Sequence, residues 1–190
     1  MNDLPWIILL HQCIFQAMFV AKNIRLKRRI GGPIRGTNLE ANLAIGLFVA
    51  FIVTTLAIAF TTPAPGDSSP LPAGMTRTGG LALMIVSLLL ARAALKDLGD
   101  SWRVGVIDDA TTDLVERGIY RFSRNPFFLA YMVSFAAYGI ALQSAALLSL
   151  LLACLAATHA MILKEEAFLQ DSHGNLYAAY KQRVPRYIGF

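Results

Sequence analysis

Five separated blocks of apolar residues constrain this chain more than any other feature. They cover residues 4–21, 43–60, 79–95, 127–142 and 144–163. Each runs near the ~20 residues that a helix needs to cross a bilayer. The apolar matter is blocked rather than periodic. With 56% hydrophobic and 15% charged residues and a mean hydropathy of +0.54, the chain is too apolar for an ordinary soluble domain. The expected architecture is an all-α membrane protein with five transmembrane helices. Only the turn around Gln143-Ser144 separates the last two, which predicts a tight helical hairpin.

Charge predicts the orientation. Lys22, Arg25, Lys27, Arg28, Arg29 and Arg35 lie in the loop 22–42, and Lys96, Arg103, Arg117, Arg121 and Arg124 follow the third block. Lys164, Lys181, Arg183 and Arg186 stand in the tail, so 15 of the 17 Lys and Arg fall on one side. Arg77 is opposite and Arg92 falls inside the third block. The positive-inside rule then puts the N-terminus outside and the C-terminus in the cytosol of a multi-pass cell-membrane protein. Five spans require that same arrangement. With Asp3 in place of a basic n-region and no small-residue cleavage site, the first helix is expected to be retained.

The connections differ in kind. The stretch 61–75, with Pro63, Pro65, Pro70 and Pro72, reads as an outer loop of little chemistry. The basic loop 22–42 reads as topogenic charge able to meet anionic headgroups, and no soluble fold accompanies it to bind nucleic acid. Cys13 and Cys154 lie inside apolar blocks and suit packing better than a disulfide or a metal site. No CxxC, HExxH, Walker or Rossmann pattern occurs.

Chemistry concentrates where apolar blocks meet basic segments, because charged groups at membrane depth are expensive without a use. Asn125-Pro126 reads as a helix start, with Asn at the N-cap and Pro in the first turn. A helix N-terminus flanked by Arg121 and Arg124 also suits an anionic group. The Arg124 guanidinium is expected to fork onto such a group or onto an acidic helix end. His159 and Glu166 are seven residues apart and fall on nearly one helix face, with Glu165 about a quarter-turn away.

Two runs of residues carry a family resemblance. The first is Leu114-Val115, Gly118, Tyr120 and Arg124-Asn125-Pro126; the second is Glu165-Glu166, Gly174, Tyr177, Tyr180 and Val184-Pro185. Their order resembles the isoprenylcysteine carboxyl methyltransferase and phospholipid methyltransferase superfamily, and the segment from Lys96 to Arg103 is similar to the approach segment of bacterial members. The resemblance covers roughly the last half of the chain. The apolar blocks put three transmembrane helices in residues 1–95, and the resemblance implies a methyltransferase-like region in 96–190, with a cytosolic pocket for S-adenosylmethionine. Thr112, Asp113, Leu114, Val115, Tyr120, Asn125, Pro126, Phe127 and Phe128 would line the cofactor, and Glu165 would hold its polar end. Arg124, Glu166 and His159 are the expected catalytic residues, and no metal is expected.

A lipophilic acceptor would reach the donor sideways from the bilayer. It would be a prenylcysteine-like carboxylate, needing no base, or a phospholipid amine, from which His159 or Glu166 would take a proton. Asn125 and Phe128 stand where the motif has His and Tyr, and Met161 stands where the prenylcysteine enzymes would have a substrate-binding Arg. Two other classes compete. One is an NADPH-dependent membrane reductase of the sterol type, which would need additional helices; the other is a non-catalytic membrane protein.

Overall fold

The computed structural model describes residues 3–31, 36, 39–62, 72–103 and 113–189. Among them are six α-helices and no strand. They are α1 (Leu4–Ile30), α2 (Leu39–Thr61), α3 (Ala73–Leu98), α4 (Pro126–Ala141), α5 (Ala145–His173) and α6 (Asn175–Arg183). Two 3-10 turns, Gly99–Ser101 and Gly118–Arg121, precede α4. The proline-rich stretch 63–71, Arg35, and residues 104–112 with Gly105, Asp108, Asp109 and Thr112 lie outside the described residues.

Four helices are long and apolar enough to cross a membrane: α1, α2, α3 with its 3-10 extension, and α5. The expected count of five is therefore met by length in four. At 16 residues, α4 is roughly 24 Å long, short of the ~30 Å hydrocarbon core. Its ends are set locally. Pro126 occupies the first turn, and Gln143 at φ 48° reverses the chain after Ala141. Ser144 then caps α5, its hydroxyl accepting from the Leu147 amide at 3.3 Å. The last two apolar helices thus form the expected hairpin.

Eleven of the 16 residues of α4 are buried, against six of the 23 in α2, so α4 is the central helix and its neighbours shield it. It shares its largest interface with α3, where Gly80 lets the backbones meet. A Cβ on Gly80 would lie 2.6 Å from Ala141 Cβ and 3.0 Å from the Ala137 carbonyl oxygen. Aromatic packing locks α4 to α1 and α2: Phe135 stacks on Phe51 at 4.1 Å, and Tyr131 meets Phe15 at 4.6 Å and Phe48 at 4.7 Å. A polar bolt joins three helices. His11 of α1 bonds Tyr138 of α4, Ser87 Oγ (2.9 Å) and the Met84 carbonyl (3.0 Å) of α3. The Ser87 hydroxyl donates to Met84 O, so it accepts from His11 Nε2–H, while Nδ1 accepts from the tyrosine.

Large apolar side chains cover the outside as well: Leu43, Val49, Val53, Ile85, Leu89 and Leu152 are all exposed. Such a surface calls for lipid as its solvent, and the protein is an integral membrane protein. Cys154 is buried as expected of a packing residue, whereas Cys13 lies on the exposed face of α1.

Candidate functional site

The basic ends of the helices come together at one end of the bundle. Arg29 of α1 pairs with Asp100 after α3 (3.2 Å), and Lys164 of α5 pairs with Glu40 of α2 (2.7 Å). The Trp102 indole N–H donates to Asn23 Oδ1 at 2.7 Å. The apolar run of α5 ends at Leu163, but the helix continues to His173, carrying Glu165 and Glu166 beyond it. Gly174, at φ +52°, then lets α6 fold back.

The Gly118 turn explains part of the motif. Its φ is +61°, and a Cβ there would collide with the Asp97 carboxylate, 1.9 Å from Oδ2. That carboxylate accepts the Ile119 amide at 2.8 Å. Only glycine fits. Tyr120 is thereby set against α6, where the Tyr180 hydroxyl donates to the Tyr120 carbonyl at 2.8 Å.

Glu166 is the centre of a buried ionic clamp. Arg124 Nε and Nη2 donate to its Oε1 at 3.1 and 2.8 Å, and Arg186 donates from Nε to Oε1 (3.0 Å) and from Nη2 to Oε2 (2.8 Å). Burial by itself would raise the Glu166 pKa. The Arg186 hydrogen bonds and the charge and hydrogen bonds of Arg124 outweigh burial and hold the carboxyl below its ordinary value. Arg124 also donates from Nη1 to the Lys181 and Val184 carbonyls (3.2 and 3.1 Å), and its amide bonds the Pro185 carbonyl at 3.0 Å. The Ser123 hydroxyl and the Asn125 side-chain amide donate to the Arg186 carbonyl at 3.2 and 3.3 Å. Asn125 holds the N-cap position of α4 but makes no side-chain cap bond; its amide ties the tail down instead. Of the two anions expected for Arg124, the structure brings it to the acidic helix end.

Beneath the clamp lies a cavity of about 170 Å³, many times the ~10–15 Å³ that a single water needs. Of the expected site residues, Asp113, Leu114, Val115, Tyr120, Arg124, Asn125, Phe127, Phe128 and Glu165 line it. Pro126, Glu166 and His159 do not. His159 is exposed and bonds the Tyr187 hydroxyl at 3.0 Å, so His159 and Glu166 share a helix face, as read, but both meet the tail. The cavity also takes Phe19 from α1, Ala41, Ala44, Ile45 and Phe48 from α2, Trp102 and Arg103 after α3, and Met161 from α5. Sequence reasoning assigned none of these to the cofactor. Trp102-Arg103 at a helix exit was a usable signal for that wall, whereas Phe19 and the α2 residues resemble any lipid-facing side chain.

The cavity is polar at one end and apolar at the other. Ala41, Ala44 and Met161 form a buried apolar patch at the α2–α5 contact. Glu165 is half-buried in the wall, and its side chain makes no hydrogen bond among the described residues. Burial, then the neighbouring Glu166 charge, pushes its carboxyl up to about 7.

Residues 75–175, more than half of the 190 in the chain, match the phospholipid methyltransferase family. The chain belongs to that family. It is thus a membrane methyltransferase of the superfamily that also holds the isoprenylcysteine carboxyl methyltransferases. No curated relative matches this chain. The family match spans α3 to α5, and so includes Arg103, the Gly118 turn, Arg124 and both glutamates. The tail residue Arg186, which completes the clamp, falls beyond it.

Proposed function

We propose that this member of the phospholipid methyltransferase family uses S-adenosylmethionine to methylate a lipophilic acceptor at the cytosolic face of the cell membrane. One observation carries the cofactor reading: the uncommitted charged groups on the cavity wall mirror the donor. S-Adenosylmethionine carries a sulfonium, an ammonium and a carboxylate. Among the described residues, the wall offers two carboxylates without side-chain partners, Asp113 and Glu165, and one guanidinium with free donors, Arg103. Arg124 lines the cavity too, but its donors are taken by Glu166 and the tail carbonyls. NADPH, the cofactor of the competing reductase, brings charge only as anionic phosphates, which two carboxylates would repel. This charge pattern favours the methyltransferase over a sterol-type reductase, and the presence of the motif residues Arg124, Glu165 and Glu166 favours it over a non-catalytic protein.

Bound there, the cofactor supplies an activated methyl group at the meeting of water and lipid. The protein's own part is orientation and exclusion of water. Tyr120, Asn125, Phe127 and Phe128 would form the walls around it, with Leu114 and Val115 at the rim. Glu165 would face its cationic end. The apolar patch of Met161, Ala41 and Ala44 would take the acceptor chain. That patch holds no cation to bind an acceptor carboxylate, which favours a lipid amine over a prenylcysteine. An ammonium must lose a proton before its nitrogen can attack, and Glu165, one helical turn from Met161 on the same wall and without a side-chain partner among the described residues, is placed to accept it. Glu166 is not, because its lone pairs are committed to two arginines. His159 stands outside the cavity, so neither serves as base in this reading.

In the orientation we propose, α4 crosses as a fifth span, short because its neighbours surround it. The N-terminus is then outside and the clamp cytosolic. Calorimetric titration of the purified protein with S-adenosylmethionine and with NADPH tests the cofactor. Binding of NADPH alone would overturn the assignment. Transfer of labelled methyl groups to amine phospholipid rather than to a farnesylcysteine analogue tests the acceptor, and the reverse preference would restore the carboxylate reading.

A further inference from the structure

We infer that Arg103 is the binding residue for the α-carboxylate of the cofactor; this rests on the S-adenosylmethionine reading above. Among the described residues the cavity wall has two arginines, and their donors are in opposite states. Arg124 has four of its five N–H donors placed: Nε and Nη2 on Glu166, and both Nη1 hydrogens on the Lys181 and Val184 carbonyls. It has no edge left for a second carboxylate. Arg103 uses only Nη1, which donates to the Asp100 carbonyl at 2.8 Å and the Trp102 carbonyl at 2.7 Å. Its Nε is buried without a partner, and Nη2 makes no bond among the described residues.

The open edge is the one that matters. Nε–H and Nη2–H lie side by side on a guanidinium and match the two oxygens of a carboxylate. Arg186 uses that same edge on Glu166, at 3.0 and 2.8 Å. In Arg103 the two Nη1 bonds hold the fork in place from its far side, and Trp102, anchored to Asn23 at 2.7 Å, fixes the backbone beside it. Asp113 lines the same cavity, and its own carbonyl accepts from Ser101 Oγ at 2.9 Å. An amino-acid end laid here meets a guanidinium for its carboxylate and a carboxylate side chain for its ammonium. A buried Nε–H without an acceptor is unfavourable in the empty site, so the fork favours an anion.

The test compares two ligands on two proteins without any acceptor: S-adenosylmethionine and its decarboxylated analogue, titrated calorimetrically against the parent and Arg103→Gln. The parent should bind the decarboxylated compound roughly tenfold or more weakly. Arg103→Gln should lose a similar factor toward S-adenosylmethionine and almost nothing toward the analogue. Retained affinity for the analogue shows that the variant is folded. Arg103→Lys should recover only part of the loss, since a point charge replaces the fork. Equal affinity of the parent and Arg103→Gln for S-adenosylmethionine overturns the assignment, whether or not the acceptor KM rises; a rise would give Arg103 to an acceptor anion instead. Equal losses for both ligands also overturn it, making Arg103 a structural residue. A parent that binds neither ligand sinks the cofactor reading, and this inference with it.

Discussion

Removing the charge from Glu166 should release the tail from the bundle. In Glu166→Gln one amide oxygen remains as an acceptor, but two guanidinium groups lose their shared anion. The side chains of Glu166 and Arg124 are only 6% and 8% exposed, while Arg186 is 28% exposed. Deleting one partner of a buried pair costs roughly 3–5 kcal/mol, because the charge left behind is unpaired. Arg186 can turn toward water, so the lower end, about 3 kcal/mol, is the expectation. If the loss appears as local undocking, the open population of the tail rises on the order of 100-fold. Hydrogen exchange reads it directly, since the Arg124 amide is protected by the Pro185 carbonyl and the Val184 amide by Tyr180. Both should exchange faster by about that factor, with amides in the core of α4 unchanged. Arg183→Gln is the control, because its pair with Glu116 joins side chains that are 65% and 34% exposed, and such surface pairs contribute ~0–1 kcal/mol. Exchange at Arg124 and Val184 as slow as in the parent would show that the clamp does not hold the tail, and the reasoning would fail.

Cofactor affinity should depend on pH through Glu165. Its carboxyl is pushed up to about 7, so acidification through neutrality protonates it and weakens binding of a cationic ligand. Affinity should fall severalfold between roughly pH 8 and 6, and Glu165→Gln should bind weakly at both; a pH-independent parent would remove Glu165 from the cationic end. For the ligand-free fold the sign is reversed. A raised carboxyl pKa stabilises below the ordinary 4.5 and loses that contribution as pH rises toward 7, so Glu165→Gln should flatten the decline in thermal unfolding curves. At the α3–α4 contact, Gly80→Val should cost ~1–3 kcal/mol by overpacking, because the obstacles include the backbone of Ala137 and Ala141. An unchanged unfolding midpoint in detergent would refute that close approach.

Several elements were legible in the residue types themselves. A lipid-facing helix must be apolar along its length, so α1, α2, α3 and α5 stand out as blocks. Gly118 and Pro126 mark backbone conformations that few other residues adopt. The pairing of Arg124 with Glu166, 42 positions apart, was legible only as one of two alternatives, an anionic group or an acidic helix end, since nothing local distinguishes a clamped carboxylate from a solvated one. For that reason the two adjacent glutamates invited similar polar roles, yet one lies in a salt bridge and the other faces a cavity. Arg186 escaped notice because it sits in a basic tail where charge alone explains its presence. The shortness of α4 was already visible in its block, 127–142, but its central, buried place was hidden: a buried helix and a lipid-exposed one carry the same apolar residues.

The same ambiguity bears on how the chain divides its labour. The motif-bearing half, 96–190, was expected to hold the site, with 1–95 as three membrane helices. The family match begins at residue 75, yet Phe19, Ala41, Ala44, Ile45 and Phe48 all line the cavity. The charged and motif residues on its wall, Arg103, Asp113, Arg124 and Glu165, come from beyond residue 95, while α1 and α2 contribute only apolar side chains. The cofactor-facing groups can therefore stay constant while α1 and α2 vary, and variation there reshapes the apolar end without touching the polar one. On this division, replacing Ala44 by leucine should raise the acceptor KM while leaving affinity for S-adenosylmethionine unchanged. A loss of cofactor affinity instead would mean that the two ends of the cavity are not independent.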